Sequence, residues 1–388
     1  MLATPPRILA LFGSRVIFGA ERENIDVLSA LRQKGCEVLC LVRHEEWNNE
    51  VWESLDRQQL PWRRVSYIDG WLPGWRLWIL MRNPIAFVKG NIQFLRIVRE
   101  FRPTHIHAFS PLFVYSFFVA IALTRLPLVY RCGDMPIRHR AIWRGLWRLL
   151  VARTNHFVAI SRFIARELVR TGASQSSVEV IGGRPPQRVL TQDQKFVFGE
   201  IGPSPRLIAF VGQITERKGP HLLVEAFGQL ALRYPDSKVL VAGRISDWEG
   251  DDWARALQSR TGADPVLSKR VVFLGYTEDI QGLLSKCCVL VVPSLVEEAL
   301  GLVCLEAKQA SIPSVVFPSG GLPEMISNYA DGIVCKDKSV DELAAALEFY
   351  LSDTARAAQH GKAAFASLEK LGVDDFVNRW LTVYEHVH

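Results

Sequence analysis

An apolar run, VLVVPS (Val289–Ser294), is followed after two residues by EEALGLVCLEA (Glu297–Ala307). The run has the length and the β-branched content of a strand that is buried on both faces of a parallel sheet. The second stretch places Glu298 and Glu306 eight residues apart. We expect Glu298 in the loop at the carboxyl edge of the sheet, and a helix that begins near Leu302 and carries Glu306 about one turn from its start.

This segment has features that suit a nucleotide ligand. The free N–H groups at a helix start favour phosphate, and Gly301 allows the backbone to approach a ligand closely. A carboxylate at Glu306 can accept hydrogen bonds from two vicinal hydroxyls, as acids in dinucleotide-binding folds do with ribose. A solvated acidic helix start would show the same two glutamates, so the interpretation depends on other motifs.

A second motif lies in VGQITERKGPHLLVEAF (Val211–Phe227). Gly212 closes a strand-like run, and Arg217 and Lys218 stand directly before a helical pattern. Two cations at a helix start suit a diphosphate at the edge of the sheet. Taken alone, the motif is equally compatible with an exposed basic turn.

Strand-like runs alternate with helical patterns along both halves of the chain. The runs are RILALFG, EVLCLV, HIHAF, PLVYRCG and HFVAIS, then RLIAFVG, KVLVAGR, RVVFLG, CVLVVPS and PSVVFP. This alternation predicts an α/β protein with two Rossmann-like domains, whose mainly parallel sheets face each other across a cleft. We expect a first domain over residues 1–181, a Gly- and Pro-rich linker over 182–205 and a second domain over 206–370. A C-terminal helix over 371–388 is expected to pack back on the first domain.

Composition limits the class of protein. With 388 residues, 49% of them hydrophobic, the chain can bury two large cores. The seven cysteines show no metal-type or redox spacing, so we expect reduced, mostly buried thiols. Met1–Pro6 has no positive charge before an apolar region, which predicts no signal peptide. The longest apolar run, Leu112–Leu123, is too short to span a bilayer and predicts a buried helix. We therefore expect a cytoplasmic protein.

The charge is unevenly distributed. Residues 1–190 contain 27 Lys and Arg against 14 Asp and Glu, whereas the remainder is acidic. Two stretches, 70–103 and 138–153, mix Arg with Trp, and this composition suits a segment lying on anionic lipid. In the first, Ile92, Leu95 and Val98 form one helical face, whereas Lys89, Arg96, Arg99 and Arg102 favour the other. The alternative is that these helices dock on the sheet by their apolar faces and leave the cations in water, but the basic half favours peripheral membrane contact.

The motifs together resemble a known family. FVGQITERKG (Phe210–Gly219), PSLVEEALGLVCLEA (Pro293–Ala307) and PSGGLPEMI (Pro318–Ile326) resemble segments of the retaining glycosyltransferases of glycosyltransferase family 4, which have the GT-B fold. GAERENIDVLSALRQKGCEV (Gly19–Val38) is similar to the first loop and helix of that family. HFVAISRFIARELVRTGA (His156–Ala173) is similar to its segment before the linker. The resemblance covers nearly the whole chain.

The resemblance implies a donor site on the second domain. Glu298 would contact the transferred sugar, Glu306 would hold the ribose hydroxyls and Lys218 would bind phosphate. The backbone of Leu300–Leu302 would meet the sugar and the diphosphate. These residues make a nucleotide-diphosphate sugar the expected donor.

One position of this donor site departs from the family. The family usually has a phosphate-binding arginine directly after the glycine that closes the first strand of this domain, which is Gly212 here. This chain has Gln213 at that position, and we expect Arg217 to compensate in part. Gly275 and Tyr276 match the loop that borders the base.

The first domain carries fewer matches. Gly19 matches a Gly-rich loop near the donor phosphates. The family commonly has a histidine after the strand that PLVYRCGD represents, and here that position is Gly133. Asp134 is the preferred candidate for a group near the acceptor, with His139 as an alternative.

The chemistry implied is transfer with retention of configuration, in which the departing diphosphate helps to deprotonate the acceptor. Lys218, Arg217 and helix-start amides suit the negative charge that develops on the leaving group. No D-x-D pair occurs, and Asp251-Asp252 lacks that spacing. We therefore expect no metal and no cofactor, the nucleotide sugar being a substrate.

The expected activity is that of a hexosyltransferase acting with a UDP- or GDP-sugar in cell-envelope or polysaccharide biosynthesis. The expected acceptor is a glycan or a lipid-linked glycan at the inner face of the membrane, with a soluble acceptor as the alternative. No motif supports nucleic-acid binding. Two other classes stay open. One is a non-catalytic nucleotide-sugar-binding protein, with which Gln213 and the missing histidine are compatible. The other is a GT-B-like nucleotide-sugar epimerase, against which the spacing of Glu298 and Glu306 argues.

Overall fold

The computed structural model describes residues 5–14, 17, 19–44, 50–68, 77–136, 141–185, 206–245, 251–370 and 373–387. The chain divides into two compact units: residues 1–182 together with 373–388, and residues 183–372. Residues 186–205 of the predicted linker lie outside the described part. The two units are treated separately below.

The first unit contains a parallel sheet with seven strands among the described residues, in the order β3-β2-β1-β4-β5-β6-β7. The strands are β1 Arg7–Phe12, β2 Glu37–Arg43, β3 Trp62–Val65, β4 His105–Ala108, β5 Leu128–Cys132, β6 His156–Ala159 and β7 Val178–Val180. Strands β1, β2, β4 and β5 are buried almost throughout. The apolar runs of the sequence therefore predicted the central strands correctly.

Helices separate these strands along the chain. They are α1 Gly19–Gln33, α2 Glu50–Arg57, α3 Leu77–Phe101, α4 Pro111–Ser116, α5 Phe118–Thr124, α6 Ala141–Arg153, α7 Arg162–Arg170 and, from the C-terminus, α14 Val373–His386. Helix α14 packs against α1 and buries Trp380 completely. None of the described helices is long and apolar enough to cross a membrane.

The second unit contains a parallel sheet with six strands among the described residues, in the order β10-β9-β8-β11-β12-β13. The strands are β8 Arg206–Val211, β9 Ser237–Ala242, β10 Val271–Gly275, β11 Val289–Val292, β12 Ser314–Val316 and β13 Gly332–Val334. The helices are α8 Pro220–Leu230, α9 Asp251–Ala263, α10 Ile280–Leu284, α11 Leu302–Gln309, α12 Val340–Leu351 and α13 Thr354–Glu369.

The sheet of the second unit has a hydrophobic core on each face. Alternate residues of a strand point to opposite faces, so Val289 and Val291 enter one core while Leu290 enters the other. Helices α8 and α12 cover the first core, and α10 and α11 cover the second. This is the three-layer arrangement expected for an α/β protein. It confirms the predicted fold class of two parallel-sheet, Rossmann-like domains.

The cysteines are confirmed as free thiols. Six of the seven are buried and Cys288 is half-buried. Burial raises the pKa of the Cys132 and Cys304 thiols to about 12, so both are protonated near neutral pH and are poor nucleophiles.

The single helix predicted over 112–123 is wrong. The chain forms two short helices, α4 and α5, separated at Phe117. Asn91 of α3 occupies the break: its amide donates to the Ser116 carbonyl at 3.0 Å, and its carbonyl accepts the Ala120 N–H at 2.8 Å. A buried side chain that satisfies the freed backbone groups removes the cost of interrupting the helix.

The face of α3 formed by Ile92, Leu95 and Val98, on which the alternative interpretation docks the helix, is not the face that enters the core. The residues that enter the core are Asn91, Phe94 and Ile97, whereas Ile92 is 55% exposed. Leu95 and Val98 are half-buried. The buried face is thus rotated by one residue from the Ile92–Leu95–Val98 face, and this rotation brings Asn91 to the break between α4 and α5.

Candidate functional site

The candidate site lies at the carboxyl edge of the second unit's sheet, between β8 and β11. Strand order reverses here, since the chain runs outward from β8 to β10 and returns to start again at β11. In open α/β sheets, ligands bind in the crevice that forms at such a switch point. Three loops meet there, following β8, β11 and β12.

The loop after β11 holds a hydrogen-bonded ion pair. Lys218 Nζ and Glu298 Oε1 are 2.5 Å apart. Ser294 Oγ donates to the same carboxylate oxygen at 2.6 Å, and Ser294 is completely buried. The side chains of Lys218 and Glu298 are 26% and 17% exposed. The carboxylate is therefore fixed by two donors while staying accessible from solvent.

The loop after β8 is held tightly against β11. The Leu295 N–H donates to the Arg217 carbonyl at 2.9 Å. Gly219 has φ +73°, and a Cβ there would lie 2.0 Å from the Pro293 carbonyl oxygen. Only glycine allows this approach, and the approach brings Lys218 within reach of Glu298.

The loop after β12 binds the loop after β11 through hydrogen bonds and a close backbone approach. Ser319 Oγ donates to the Ser294 carbonyl at 2.5 Å, and the Gly321 N–H donates to the Glu298 carbonyl at 2.8 Å. Gly320 has φ +59°, and a Cβ there would lie 2.2 Å from the Glu298 carbonyl oxygen. The segment PSGG thus fixes the backbone of Glu298.

Arg217 and Gln213 are in direct contact. Arg217 Nη2 donates to Gln213 Oε1 at 2.9 Å. A guanidinium therefore lies beside the position where an arginine was expected from the family resemblance. The distance is consistent with partial compensation by Arg217, whose binding to phosphate stays a prediction.

Helix α11 begins at the site, as predicted. Its N-cap, Gly301, has φ +93° and provides no side chain to cap the first turn, so the first N–H groups of the helix keep hydrogen-bonding capacity for a ligand. The side chains of Leu300 and Leu302 would lie 2.9 Å and 2.7 Å from a Cβ at Gly183. They pack against the chain entering the unit, which leaves the backbone of this segment for ligand contact.

Glu306 lies in α11 and is 7% exposed. Its backbone carbonyl accepts a hydrogen bond from Gln281 Nε2 at 2.9 Å, which ties α11 to α10 beside it. A glutamate at a solvated helix start would be exposed, and Glu306 is not. The alternative of a solvated acidic helix start therefore does not hold at Glu306.

Tyr276 lies at the end of β10, where the ring is partly open to solvent. The residue is 47% exposed, and the guanidinium of Arg244 lies 4.1 Å from the ring centroid. Gly275 has φ +69°. Arg244 in turn accepts the Ile214 N–H through its carbonyl at 2.9 Å. The Arg244 cation and the Tyr276 ring together form a surface at the end of β10, the edge strand of this sheet.

Glycines close the strands next to this surface. The Gly212 N–H donates to the Ala242 carbonyl at 3.0 Å, and the Gly243 N–H donates to the Gly275 carbonyl at 2.8 Å. A Cβ at Gly243 would lie 1.7 Å from the Gly212 carbonyl oxygen. Gly212 directly follows β8, and the position of its carbonyl oxygen requires glycine at position 243, directly after the neighbouring strand β9.

The remaining predicted site residues belong to the first unit. Gly19 is the exposed first residue of α1. Asp134 is exposed after β5, and its carbonyl accepts the Cys132 thiol at 3.3 Å. A Cβ at Gly133 would meet nothing within 4 Å, so packing does not explain the absence of a histidine there. His139 lies outside the described residues.

A buried polar cluster of the first unit was not predicted. His107 is completely buried, with Nδ1 2.6 Å from the Tyr384 hydroxyl and Nε2 2.7 Å from Asn24 Oδ1. Burial, and then the charge of Arg131, lower the pKa of His107 to about 3. This histidine is neutral in the folded state and anchors α14.

Three residues of the donor-side site were also missed: Ser294, Ser319 and Arg244. The first two stand within quoted motifs, VLVVPS and PSGG, and a hydroxyl or Gly-Gly pair directly after a buried strand was the available signal. Arg244 follows the strand-closing Gly243, as Gln213 follows Gly212. Within the described part of the chain, no group of three or more His, Cys, Asp or Glu side chains is arranged to hold a metal ion.

Comparisons with known proteins match both halves of the chain. The family model described as Glycosyltransferase Family 4 matches residues 18–183, and the model described as Glycosyl transferases group 1 matches residues 191–366. Together they account for most of the sequence. The gap between the two matches, residues 184–190, lies within a few residues of the boundary between the two structural units.

Curated relatives are similar over part of their length. The chain is 34% identical over 152 residues to an uncharacterized glycosyltransferase of Methanocaldococcus jannaschii, which is 38% of this chain and 36% of that protein. It is 30% identical over 228 residues to a D-inositol 3-phosphate glycosyltransferase of Nocardia farcinica, 56% of this chain and 49% of that one. The chain thus spans about a third to a half of these relatives.

Solved structures match over nearly the whole chain. The Anabaena protein HepE in complex with UDP and glucose has a TM-score of 0.78 at 19% identity, covering 97% of this chain and 98% of that chain. Such a similarity establishes the fold. The two family models together match most of the chain and identify both halves as glycosyltransferase domains, and the shared structure shows the GT-B fold.

Proposed function

We propose that the protein is a retaining glycosyltransferase that moves a hexosyl group from a UDP- or GDP-sugar to a glycan or lipid-linked acceptor in cell-envelope or polysaccharide biosynthesis. The carrying observation is the Ser294–Glu298–Lys218 arrangement at the switch point of the second sheet. The complexes of the Anabaena structure with UDP and with UDP-glucose support a uridine nucleotide as the first donor to test.

The positive groups of the site suit the leaving group. Breaking the bond from the anomeric carbon to the diphosphate places negative charge on the diphosphate. Lys218 can keep one N–H on Glu298 and direct the others to phosphate, and the open N–H groups at the start of α11 add to this field. Arg217, held against Gln213, supplies a second charge.

Glu298 has a different role in this proposal. Ser294 and Lys218 both bind Oε1, which leaves Oε2 to accept a hydrogen bond from a sugar hydroxyl. Glu306 would bind the ribose hydroxyls, and the Arg244–Tyr276 surface would border the base. The two glutamates would therefore hold different parts of one donor.

Retention of configuration follows if the acceptor approaches on the side of the leaving group. The departing diphosphate oxygen then takes the proton of the acceptor hydroxyl, so no protein base is needed. Asp134 would act near the acceptor. The charged groups that stabilise the diphosphate are all side chains or amides of the protein, so the proposal includes no metal or cofactor.

The test measures release of UDP or GDP from a panel of nucleotide sugars. Lys218→Gln should lower the rate by about 100-fold, because one preorganised donor to a developing charge has that effect. Glu225→Gln, an exposed change on α8, should leave the rate unchanged. Inversion of the anomeric centre in the product would contradict the retaining mechanism. Donor binding without turnover would indicate a non-catalytic nucleotide-sugar-binding protein.

A further inference from the structure

The outer face of α3 carries aliphatic and basic side chains side by side. Ile85, Val88 and Ile92 are 69%, 58% and 55% exposed. Lys89 and Arg96 are exposed as well. At about 100° of rotation per residue, the five side chains fall within an arc of about 100°. We call these five residues the α3 stripe.

The α3 stripe does not contribute to the hydrophobic core of the first unit. The opposite face of the helix supplies the buried contacts through Asn91, Phe94 and Ile97. A shallow apolar groove lies along the stripe, lined by Pro84, Ile85, Val88, Lys89, Ile92, Gln93 and Arg96. Three large aliphatic side chains exposed together on one helix indicate a surface that contacts something apolar.

The positive charge around the α3 stripe indicates that its partner is negatively charged. Residues 70–99 contain five Lys and Arg and no Asp or Glu. The first acid after them, Glu100, forms an ion pair with Arg63. A partner for this surface therefore combines apolar material with negative charge. The interface of an anionic bilayer has both, since acyl chains lie directly below charged headgroups, whereas a nucleic acid would leave the aliphatic side chains uncovered.

We propose that the α3 stripe docks this protein on the surface of an anionic membrane. Ile85, Val88 and Ile92 enter the boundary between headgroups and acyl chains, and Lys89 and Arg96 meet lipid phosphates. The proposal goes beyond glycosyl transfer, because docking requires neither donor nor acceptor. A helix with this pattern lies in the interface plane and does not cross the bilayer.

The experiment is co-sedimentation with vesicles of phosphatidylcholine and phosphatidylglycerol, compared with vesicles of phosphatidylcholine alone. The protein should pellet with the anionic vesicles and stay in the supernatant with the neutral ones. Lys89→Gln/Arg96→Gln should weaken the partition by about 30-fold, since each cation near the surface contributes roughly fivefold. Ile85→Gln/Val88→Gln/Ile92→Gln should weaken it by at least about tenfold.

Matched controls come from exposed residues of the second unit. Lys286→Gln/Lys362→Gln removes the same charge, and Leu232→Gln/Phe365→Gln removes exposed apolar side chains. Both should bind as the unchanged protein does. The proposal would be overturned if the stripe variants bound anionic vesicles as strongly as the unchanged protein does. It would also be overturned if the unchanged protein bound no anionic vesicles at low salt. Self-association in gel filtration that the triple stripe variant abolishes would overturn it as well, because the stripe would then join two copies.

Titration of UDP and of GDP without vesicles keeps this result separate from the proposed function. A protein that binds either nucleotide but no vesicles would refute membrane docking alone. A protein that binds vesicles but no nucleotide would refute the donor site alone.

Discussion

Ser294 is the residue through which the site controls the position of Glu298. It is completely buried at the end of β11, its hydroxyl donates to Glu298 Oε1 at 2.6 Å, and its carbonyl accepts Ser319 Oγ. Ser294 does not itself reach a ligand in this arrangement. It holds the carboxylate that we propose binds the sugar, so it is a positioning residue.

Ser294→Ala should lower the rate of sugar transfer by about tenfold, because loss of one hydrogen bond to a charged group leaves Glu298 less well fixed. The effect should fall mainly on kcat, with a smaller change in KM for the donor. Steady-state kinetics measures this, with Ser285→Ala, an exposed hydroxyl at the end of α10, as the control.

A double-mutant cycle separates positioning from general destabilisation. In the background of Glu298→Gln, the further change Ser294→Ala should cost little, since the group it positions has lost its charge. Full additivity of the two effects would contradict a positioning role.

At the scale of elements, the buried cluster beneath α14 should make stability depend on pH. Asn24 Nδ2 donates to the Ala20 carbonyl at 2.7 Å, which turns its Oδ1 toward His107. Nε2 of His107 therefore carries the proton, and Nδ1 accepts the Tyr384 hydroxyl. Protonation would break this arrangement beside the charge of Arg131, whose partner is Glu23.

The free energy of unfolding should therefore fall as the pH decreases from about 6.5 toward 3. The pKa of His107 is lowered from 6.5 to about 3 in the folded state, so the unfolded chain binds a proton that the folded chain refuses. Each unit of pKa difference contributes about 1.4 kcal/mol. Urea unfolding at several pH values measures the slope. His107→Gln should flatten it, and an unchanged slope in that variant would refute the assignment.

The sequence predicts some elements of this fold much better than others. Central strands such as β1 (RILALF) and β8 (RLIAFV) are apolar after their first residue, and β11 (VLVV) is apolar throughout, as burial on both faces of a sheet requires. The strands β3 (WRRV), β7 (VEV) and β13 (GIV) were missed, because they are short and lie at sheet edges. The first two also contain charged residues. Their conformation is set by pairing with a neighbour.

Helix α3 shows why a helical pattern alone can mislead. Aliphatic residues occur on more than one face of the helix, so spacing does not select the buried one. The structure selects the face with Asn91, a polar residue that hydrophobic periodicity counts against burial. A buried amide that satisfies Ser116 and Ala120 depends on tertiary contacts that no local pattern contains.

In the candidate site, too, some features follow from local sequence and others depend on tertiary contacts. Helix α11 with its Gly301 start, and the cations before α8, follow from local signals. The direct bond between Lys218 and Glu298 does not, because the two residues are 80 positions apart. Their meeting depends on β8 and β11 being neighbours in the sheet, which the order of strands along the chain does not reveal.

At the scale of the whole molecule, catalysis should be independent of divalent cations. Lys218, Arg217 and the first N–H groups of α11 supply positive charge where the diphosphate is proposed to bind, so a metal is not needed for that role. Treatment with a chelator should leave the rate of nucleotide release unchanged. Loss of activity on chelation, restored by Mg²⁺ or Mn²⁺, would contradict this expectation.

We propose that the carboxyl edge of the second unit's sheet binds a nucleoside diphosphate through Glu306. The most direct test is calorimetric titration with UDP and GDP, repeated on Glu306→Ala and on Glu225→Ala, an exposed glutamate of α8. We predict that one nucleotide binds, that Glu306→Ala weakens this binding by at least about tenfold through loss of hydrogen bonds to a charged group, and that Glu225→Ala has no effect. If neither nucleotide binds the unchanged protein, or if Glu306→Ala binds it equally well, the donor site is not where this account puts it.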